Sequence, residues 1–392
     1  MNITGIIAEY NPFHQGHAFH LKEARRLTGA DYVIVAMSGN YVQRGVPAMF
    51  DKYIRAEAAL LNGADLVLEL PPCVATGSAE HFASGAVQLL SGTGVVTDLC
   101  FGSECGDLMM LMHPAQILSR EPEPYRQFLK KMLRLGKPYP EARTRALLQY
   151  DSSLSPELLH MPNNLLGIEY LKALLKYRLS IRPHTLCRTG AAYHETRLKD
   201  RTAASASGIR EALMEHHGMF IPVIQEQLPS FGLYKDYDGR NPITENAFSL
   251  LLLERLQRDP EERLESYFGV TEELSNRIRN CLDAYTSFSQ FTDLIKTRNL
   301  TRTSVSRALL HILLNLTESE PPCCLRVLGF RKDARSLLKI ICDQGMLPLV
   351  TSPADERLPK NWLYGDRLYE SVRSLLHHQP FQNECRRKML VL

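Results

Sequence analysis

Two histidines one helical turn apart stand near the start of the chain, in the pattern His14-x-Gly16-His17. The apolar run at 3–8 predicts a buried strand, and Asn11-Pro12 ends it because proline lacks an amide donor and biases its predecessor away from helix. A helix then begins near the glycine, which lets a ligand approach the backbone. Free amides, the helix dipole and two imidazole donors favour an anion there. The pattern is typical of a nucleotide-phosphate site, where fixed donors would meet charge developing on phosphorus.

A metal site is the alternative explanation of His14, His17 and His20. Three histidines at these spacings on one helix spread over too wide an arc to converge on one ion, and no carboxylate or cysteine stands beside them. We therefore prefer the phosphate interpretation and predict no metal held by protein ligands.

A second pattern, Ser205-x-Ser207-x-Ile209-Arg210, combines two hydroxyls, the amides of a helix start and a guanidinium. These groups together suit a phosphate. An N-cap serine followed by an exposed arginine would explain the same letters, but the presence of both patterns in one chain favours the phosphate interpretation. Gly102 and Arg188-Thr189 each follow a predicted strand, so we expect several loops to converge on one crevice.

The segment 38–45 follows the second predicted strand and is rich in polar groups between glycines. We predict a flexible substrate loop in which Ser38, Gln43 and Arg44 are the candidate binding residues. Lys52 and Arg55 lie one helical turn apart just downstream. They either neutralise a triphosphate or carboxylate, or belong to a solvated helix face.

A run of basic residues lies in the C-terminal part of the chain. Lys296, Arg298, Arg302 and Arg307 are interspersed with hydroxyl residues at helical spacing. The pattern suits a phosphate backbone. An ordinary solvated helix face is the alternative.

The arrangement of elements predicts an α/β fold with a doubly wound parallel sheet. Glycine-capped helices precede the apolar runs at 29–35 and 63–70, and a further strand is expected at 98–101. The basic, helical segment 107–150 is predicted to be an insertion. We therefore expect a Rossmann-like nucleotide domain over 1–240, followed by an all-α C-terminal domain over 241–392.

Composition narrows the class of protein. The 392 residues exceed what one core usually supports, and the formal charge of +3 permits, without requiring, a polyanion partner. Nine cysteines, none in a Cys-x-x-Cys pair, indicate reduced thiols. Because there is no basic segment leading into an apolar run and no apolar stretch of membrane-spanning length, we expect a soluble cytoplasmic protein with no membrane partner.

Taken together, the two short patterns resemble the paired signatures of the nucleotidylyltransferase superfamily. Longer motifs along nearly the whole chain look like the bacterial tRNA(Met) cytidine acetate ligase family. These motifs are Glu9-Tyr10-Asn11-Pro12-Phe13-His14-x-Gly16-His17, Met37-Ser38-Gly39-Asn40-x-x-Gln43-Arg44-Gly45, Gly63-Ala64-Asp65-Leu66-Val67-x-Glu69-Leu70-Pro71, Phe101-Gly102-Ser103-Glu104, Pro162-Asn163-Asn164 and Arg326-Val327-Leu328-Gly329-Phe330.

The resemblance implies an enzyme that activates acetate with ATP as acetyl-adenylate. It then passes the acetyl group to the exocyclic amine of the wobble cytidine of elongator tRNA(Met). Mg²⁺ is expected with the ATP, and His14 and His17 are expected to be catalytic. Of Asn163 and Asn164, Asn163 is the preferred nucleotide ligand. By similarity, the ATP-binding residues are Ile7, Ala8, Glu9, Tyr10, Asn11, Pro12, Phe13, His14, Gln15, Gly16, His17, Ala18, Phe19, His20, Gly102, Asn163, Arg188 and Thr189.

Two alternatives remain open. An adenylyltransferase that leaves AMP on a small cofactor precursor would use the same histidines, but it would not need the helical domain or the basic insertion. A non-catalytic tRNA-binding protein would not need intact His14, Gly16 and His17. The oligomeric state is not legible from the sequence.

Overall fold

A mostly parallel sheet forms the centre of the structure, a computed structural model that describes residues 1–188, 205–258, 263–318 and 320–392. The strands are β1 (Ile3–Ala8), β2 (Tyr32–Ser38), β3 (Tyr41–Val42), β4 (Val46–Pro47), β5 (Leu66–Leu70), β6 (Asp98–Ser103), β7 (Arg182–Cys187), β8 (Leu325–Phe330), β9 (Leu349–Val350) and β10 (Leu390–Val391). In these ranges, one eight-stranded sheet has the order β10-β8-β5-β2-β1-β6-β7, with β9 beside β8. β3 and β4 form a separate hairpin.

The strand order reverses at β1. This strand pairs in parallel with β2 on one side and with β6 on the other. β5 then extends the first side and β7 the second, also in parallel. In such sheets, ligands bind beyond the carboxyl ends of the strands at the point of reversal. The predicted doubly wound α/β architecture is confirmed.

Sixteen α-helices lie in the described ranges, and none of them is long and apolar enough to span a membrane. They are α1 (Gln15–Thr28), α2 (Lys52–Leu61), α3 (Pro72–Ala75), α4 (Ala79–Gly92), α5 (Leu108–Arg120), α6 (Glu123–Arg134), α7 (Tyr139–Tyr150), α8 (Pro162–Lys176), α9 (Ala206–Glu215), α10 (Pro222–Gln227), α11 (Ser249–Gln257), α12 (Glu272–Cys281), α13 (Phe288–Ile295), α14 (Arg302–Leu314), α15 (Arg335–Gln344) and α16 (Lys360–Leu376).

Helices cover both faces of the sheet because strand side chains alternate between the faces. Val33 and Val35 pack in one core with residues of α1 and α2. Ile34 and Ala36 pack in the other core with residues of α4, α8 and α14. The same alternation decides which face each polar residue occupies at the carboxyl ends of the strands.

The expected insertion is helical, as predicted: α5, α6 and α7 lie between β6 and β7. The C-terminal segment differs from the expected all-α domain, because it supplies β8, β9 and β10 to the sheet. β8 pairs antiparallel with β5, and all six of its residues are buried. A short, mostly apolar segment looks alike in a strand and in a buried helix, and only the free edge of β5 selects the strand. The boundary at 240/241 stays a prediction.

Arg55 is buried and ties two strand ends together. Its guanidinium donates to the carbonyls of Glu9 at 2.6 Å, Ser38 at 3.0 Å and Phe50 at 2.9 Å, and also to the carbonyl of Gly39. Burial lowers the pKa of Arg55. Arg55 is therefore neither a phosphate ligand nor part of a solvated face, contrary to both sequence interpretations.

Lys52 is also buried, within a cluster that joins the sheet to the C-terminal segment. Its ammonium lies 3.0 Å from Glu69, 2.6 Å from Asp366 and 3.0 Å from Glu384, and Arg326 pairs with the same three carboxylates. Burial acts to lower the pKa of Lys52, but the carboxylates outweigh it and raise the pKa. Lys52 thus forms buried ion pairs that connect the sheet to the C-terminal segment, and it is not a substrate ligand.

We expect Arg55→Lys to lower the free energy of unfolding by about 2–4 kcal/mol. An ammonium cannot donate to four carbonyls in these fixed directions, and carbonyls left buried without a donor are costly. Equilibrium urea unfolding measures the loss. The control is Arg26→Lys in α1, whose side chain is 70% exposed. It should change stability by less than about 0.5 kcal/mol. Equal effects in the two variants would contradict the role of Arg55.

Candidate active site

His14 caps the first helix and defines its own tautomer. Its Nδ1 accepts a hydrogen bond from the Gly16 amide at 3.0 Å. The Nδ1 of His17 accepts from the His14 amide at 3.3 Å. When Nδ1 is an acceptor, a neutral imidazole carries its proton on Nε2. Both rings therefore offer Nε2–H donors at the helix N-terminus, beyond the carboxyl end of β1.

The three histidines are held neutral. Burial, followed by the charges of Arg188 and Arg210, lowers the pKa of His14 to about 3. Burial is also the largest cause for the other two rings, and it lowers the pKa of His20 to about 4 and that of His17 well below its usual value. Neutral imidazoles can donate hydrogen bonds to a phosphate beside Arg188 and Arg210. They add no further positive charge that the two guanidinium groups would repel.

Aromatic packing fixes the ring of His17. Tyr10 adopts a left-handed backbone conformation with φ of 51°, and the Asn11–Pro12 peptide bond is cis. The Tyr10 ring lies 4.9 Å from the Phe13 ring and 4.8 Å from the His17 ring, centroid to centroid. The His14 and His17 rings are 3.7 Å apart. These contacts leave the imidazoles little rotational freedom.

The second predicted phosphate pattern meets the first. Arg210 in α9 donates to the carbonyl of Asn11 at 2.5 Å and to the hydroxyl of Ser207 at 3.1 Å. Ser205 is the N-cap of α9, and its hydroxyl accepts from the Gly208 amide at 3.1 Å. The N-cap interpretation of Ser205 is therefore right, but Arg210 turns toward the turn before α1. Two helix N-termini thus face one region.

Arg188 directly follows β7 and reaches the same region from the β6–β7 end of the sheet. Its amide donates to the carbonyl of Ser103 at 2.9 Å, which extends the β6–β7 ladder. A Cβ on Gly102 would stand 3.1 Å from Cγ of Arg188, so the absent side chain makes room for this arginine. Burial lowers the pKa of Arg188, and Glu104 opposes this effect. Thr189, also predicted as a ligand, lies outside the described residues.

Asn163 and Asn164 have different surroundings at the start of α8. The Asn164 side chain is buried, and its oxygen accepts from the Glu104 amide at 2.9 Å and the Cys105 amide at 3.1 Å. The Asn163 side chain donates to the Glu104 carboxylate at 2.7 Å. Asn164 therefore shapes the loop after β6. Asn163 is half-buried and remains the better candidate ligand.

The segment 38–45 is a packed hairpin. The Gln43 amide donates to the Glu9 carboxylate at 2.8 Å, and the Gln43 carbonyl accepts from Nε of Arg307 at 2.7 Å. Gly45, at a φ of +76°, packs so closely on α14 that a Cβ would lie 2.4 Å from the Arg307 amide. The expected flexible loop is therefore anchored, because an element more than 250 residues away in sequence packs on it. Arg44 is exposed.

Not every residue expected by similarity points into this region. Ile7 belongs to the core under the sheet, and the Phe19 side chain is 50% exposed. Gln15 donates to the carbonyl of Glu226 at 3.2 Å. The sequence interpretation also missed Arg307, which it grouped with a surface run. No local signal could have separated it, because its contact with Gln43 arises only in the folded chain.

We expect His14→Asn to reduce the loss of stability on acidification. The folded-state pKa of His14 is about 3, whereas the unfolded value is about 6.5. The unfolded chain therefore binds the extra proton, and stability falls as the pH drops below about 6.5, by about 2 kcal/mol at pH 5 from this ring. Asparagine keeps an N-cap acceptor but cannot titrate. Urea unfolding at about pH 7.5 and pH 5 measures the difference. An unchanged dependence on pH would contradict the neutral state of His14.

Comparison with known proteins agrees with this geometry. Residues 1–386 match the family model described as HIGH Nucleotidyl Transferase. The tRNA(Met) cytidine acetate ligase of Acetivibrio thermocellus is 39% identical over 91% of this chain and 89% of its own length. That of Halothermothrix orenii is 36% identical over 100% and 99%.

Two solved structures cover the whole of both chains. Thermotoga maritima TmcAL in its apo form has a TM-score of 0.87 at 32% identity. The same protein bound with alpha-thio ATP has a TM-score of 0.84 at 31% identity. With its paired helix starts, neutral histidines and full-length relatives, the chain belongs to the HIGH nucleotidyl transferase family and, within it, to the tRNA(Met) cytidine acetate ligase family.

Proposed function

We propose that this protein is an ATP-dependent tRNA(Met) cytidine acetate ligase. It joins acetate to the exocyclic amine of the wobble cytidine of elongator tRNA(Met) and forms N(4)-acetylcytidine. Family membership supports the choice of reaction. The observation that carries it is the meeting of two helix N-termini, Arg188 and Arg210 around the neutral rings of His14, which is buried, and His17, which is half-buried. Such an arrangement suits a polyphosphate.

The first step activates acetate. A carboxylate oxygen attacks the α-phosphorus of ATP, the bond to the bridging oxygen breaks, and pyrophosphate leaves. His14 and His17 act as the catalytic residues by donating Nε2–H bonds to the oxygens on which charge develops. The start of α9, with Ser205, Ser207 and Arg210, holds the leaving pyrophosphate. The adenine and ribose lie toward Gly102 and Asn163, beside Arg188.

The second step transfers the acetyl group. The cytidine amine attacks the carbonyl of the mixed anhydride, AMP leaves, and the amine loses a proton. AMP is a good leaving group, whereas acetate alone offers none, so no acyl-enzyme is needed. The wobble base must reach the crevice, which requires it to leave the anticodon stack.

Mg²⁺ is proposed to arrive with ATP and to neutralise phosphate charge. It prefers oxygen ligands and keeps several waters, so phosphate oxygens and water can hold it. Within the described ranges, no group of three or more His, Cys, Asp or Glu side chains is placed to bind a metal ion. The neutral imidazoles serve as donors, which is a role different from metal ligation.

Contacts with tRNA are proposed for two basic surfaces. Lys130, Lys131 and Arg134 are exposed on α6 of the insertion. In the C-terminal segment, Lys296 and Arg298 are exposed just before α14. Such cations suit a phosphate backbone. Action on tRNA supports the expected cytoplasmic location.

Acetate-dependent exchange of pyrophosphate into ATP, measured with and without tRNA, tests the proposal. Nucleoside analysis of the same tRNA should then show acetylcytidine in elongator tRNA(Met) and in no other tRNA. A lack of exchange together with an unmodified tRNA would overturn the proposal. Exchange that depended on a phosphorylated precursor and not on acetate would favour an adenylyltransferase instead.

We expect His17→Ala to slow acetyl-adenylate formation about 10²- to 10³-fold, the usual cost of losing one donor to a developing oxyanion. Binding of tRNA should stay within about twofold, because the ring is packed under Tyr10. Single-turnover adenylation and filter binding measure the two quantities. The exposed His160 provides the control, His160→Ala. Equal losses of adenylation and tRNA affinity would argue against a role for His17 in catalysis.

We expect Gly102→Ala to weaken ATP binding about tenfold. The new Cβ would press on Cγ of Arg188 at 3.1 Å and displace the guanidinium. Isothermal titration with a non-hydrolysable ATP analogue measures the affinity. Gly232→Ala is the matched control, because a Cβ there would meet no atom within 4 Å. If the two variants bound the analogue equally well, Arg188 would not be a nucleotide ligand.

A further inference from the structure

We propose that Ser38, Gln43 and Arg307 form the pocket that binds the carboxylate of acetate. The inference rests on the proposed function and names the residues that would position its smallest substrate. It assigns a role to Arg307, in α14 of the C-terminal segment, at a site otherwise built from the nucleotide-binding part of the chain.

The backbone brings Ser38 and Glu9 together on one face of the sheet. One terminal nitrogen of Arg55 donates to the carbonyls of both residues, at 3.0 Å and 2.6 Å respectively. Their side chains share the face of Ile7 and Ala36, because each lies two residues beyond one of these core residues. That face also carries α8 and α14. Ser38 and Glu9 therefore lie at the carboxyl ends of β2 and β1, next to the turn that leads to His14.

Gln43 connects this pair to Arg307. Its amide donates to the Glu9 carboxylate at 2.8 Å, and its carbonyl accepts from Nε of Arg307 at 2.7 Å. The hydroxyl of Ser306, the preceding residue, donates to the carbonyl of Gly45 at 2.8 Å. The guanidinium is therefore held against the hairpin and near Glu9. Burial lowers the pKa of Arg307, and the negative charge of Glu9 opposes this effect.

Three groups of donors here lack acceptors within the described residues. The Ser38 side chain is fully buried, and its hydroxyl has no hydrogen-bond partner. The side-chain nitrogen of Gln43 is likewise buried and without a partner. Arg307 uses only Nε, so its two terminal nitrogens have no partner among the described residues. Buried donors are costly when unsatisfied, and several of them together indicate a missing acceptor.

A carboxylate satisfies these donors. It offers two oxygens with about four acceptor sites and no donor, and a guanidinium matches it better than any other side chain. Burial lowers the pKa of Arg307 to about 10, which leaves it charged at neutral pH. The charge of Glu9 opposes the effect of burial on the pKa of Arg307, but no salt bridge joins these two described side chains.

The position also separates acetate from the triphosphate. Burial and the charges of Arg188 and Arg210 lower the pKa of His14, whereas the Nε of Arg307 donates to the carbonyl of Gln43 in the hairpin. Burial lowers the pKa of both Arg210 and Arg307, and the charge of Glu9 opposes this effect in each, so this carboxylate lies near the phosphate side as well as near the proposed pocket. A carboxylate held by Arg307 would stand beside the bound nucleotide, on the side from which an attack on the α-phosphorus can come.

The test measures steady-state acetate-dependent pyrophosphate exchange for Ser38→Ala and Arg307→Lys. We expect the KM for acetate to rise about tenfold in Ser38→Ala and about ten- to a hundredfold in Arg307→Lys, while the KM for ATP changes less than about twofold. Ser38→Ala also removes a buried, unsatisfied hydroxyl. Its melting temperature should stay equal or rise, which a structural role for Ser38 does not predict. Arg367→Gln, at an exposed site on α16, controls for loss of charge.

The outcomes separate this inference from the proposed function. If the wild type shows no acetate-dependent exchange, the proposed function fails and the pocket fails with it. If the wild type exchanges and both variants keep its KM for acetate, only the pocket is overturned. Equal increases in the KM for ATP and acetate, with a lower melting temperature, would show a structural role and overturn it too. A normal KM for acetate with weakened tRNA binding would assign these donors to RNA instead.

Discussion

The active-site region depends on one buried guanidinium. Arg55 donates to four backbone carbonyls, three of them at the ends of β1 and β2 and in the residue after β2. A buried cation without a carboxylate is stable only when such acceptors surround it. These hydrogen bonds fix the positions at which β1 and β2 end. They thereby also fix the position of the turn that leads from β1 to His14. The positions of the imidazoles and of the 38–45 hairpin both follow from it.

A second buried cluster makes the C-terminal segment part of the same body. Lys52 and Arg326 share three carboxylates. Glu69 comes from β5, Asp366 from α16, and Glu384 from the segment between α16 and β10. Removing one partner from such a cluster leaves an uncompensated buried charge. The cluster and β8 together hold the C-terminal segment against the nucleotide-binding sheet. This attachment lets α14 reach the hairpin beside the histidines.

The site handles negative charge with few formal cations. Neutral imidazole donors, two helix N-termini and the guanidinium groups of Arg188 and Arg210 surround the region after β1. Because the rings are buried, their pKa values are low, and their hydrogen-bond directions stay constant across the physiological pH range. Preorganised donors of this kind need little rearrangement as charge develops on a phosphate. Burial therefore serves the chemistry as well as the fold.

The sequence by itself determined the local elements and the motifs. The period of apolar residues, the glycine caps and Asn11-Pro12 specified β1, α1 and the doubly wound pattern, because these signals act within one turn or strand. Only the tertiary structure decided the roles of Lys52, Arg55 and Arg307, and the strand character of Leu325–Phe330. The residue type alone does not distinguish a buried arginine from a solvated arginine. Their difference arises from partners tens to hundreds of residues away, which local sequence patterns do not encode.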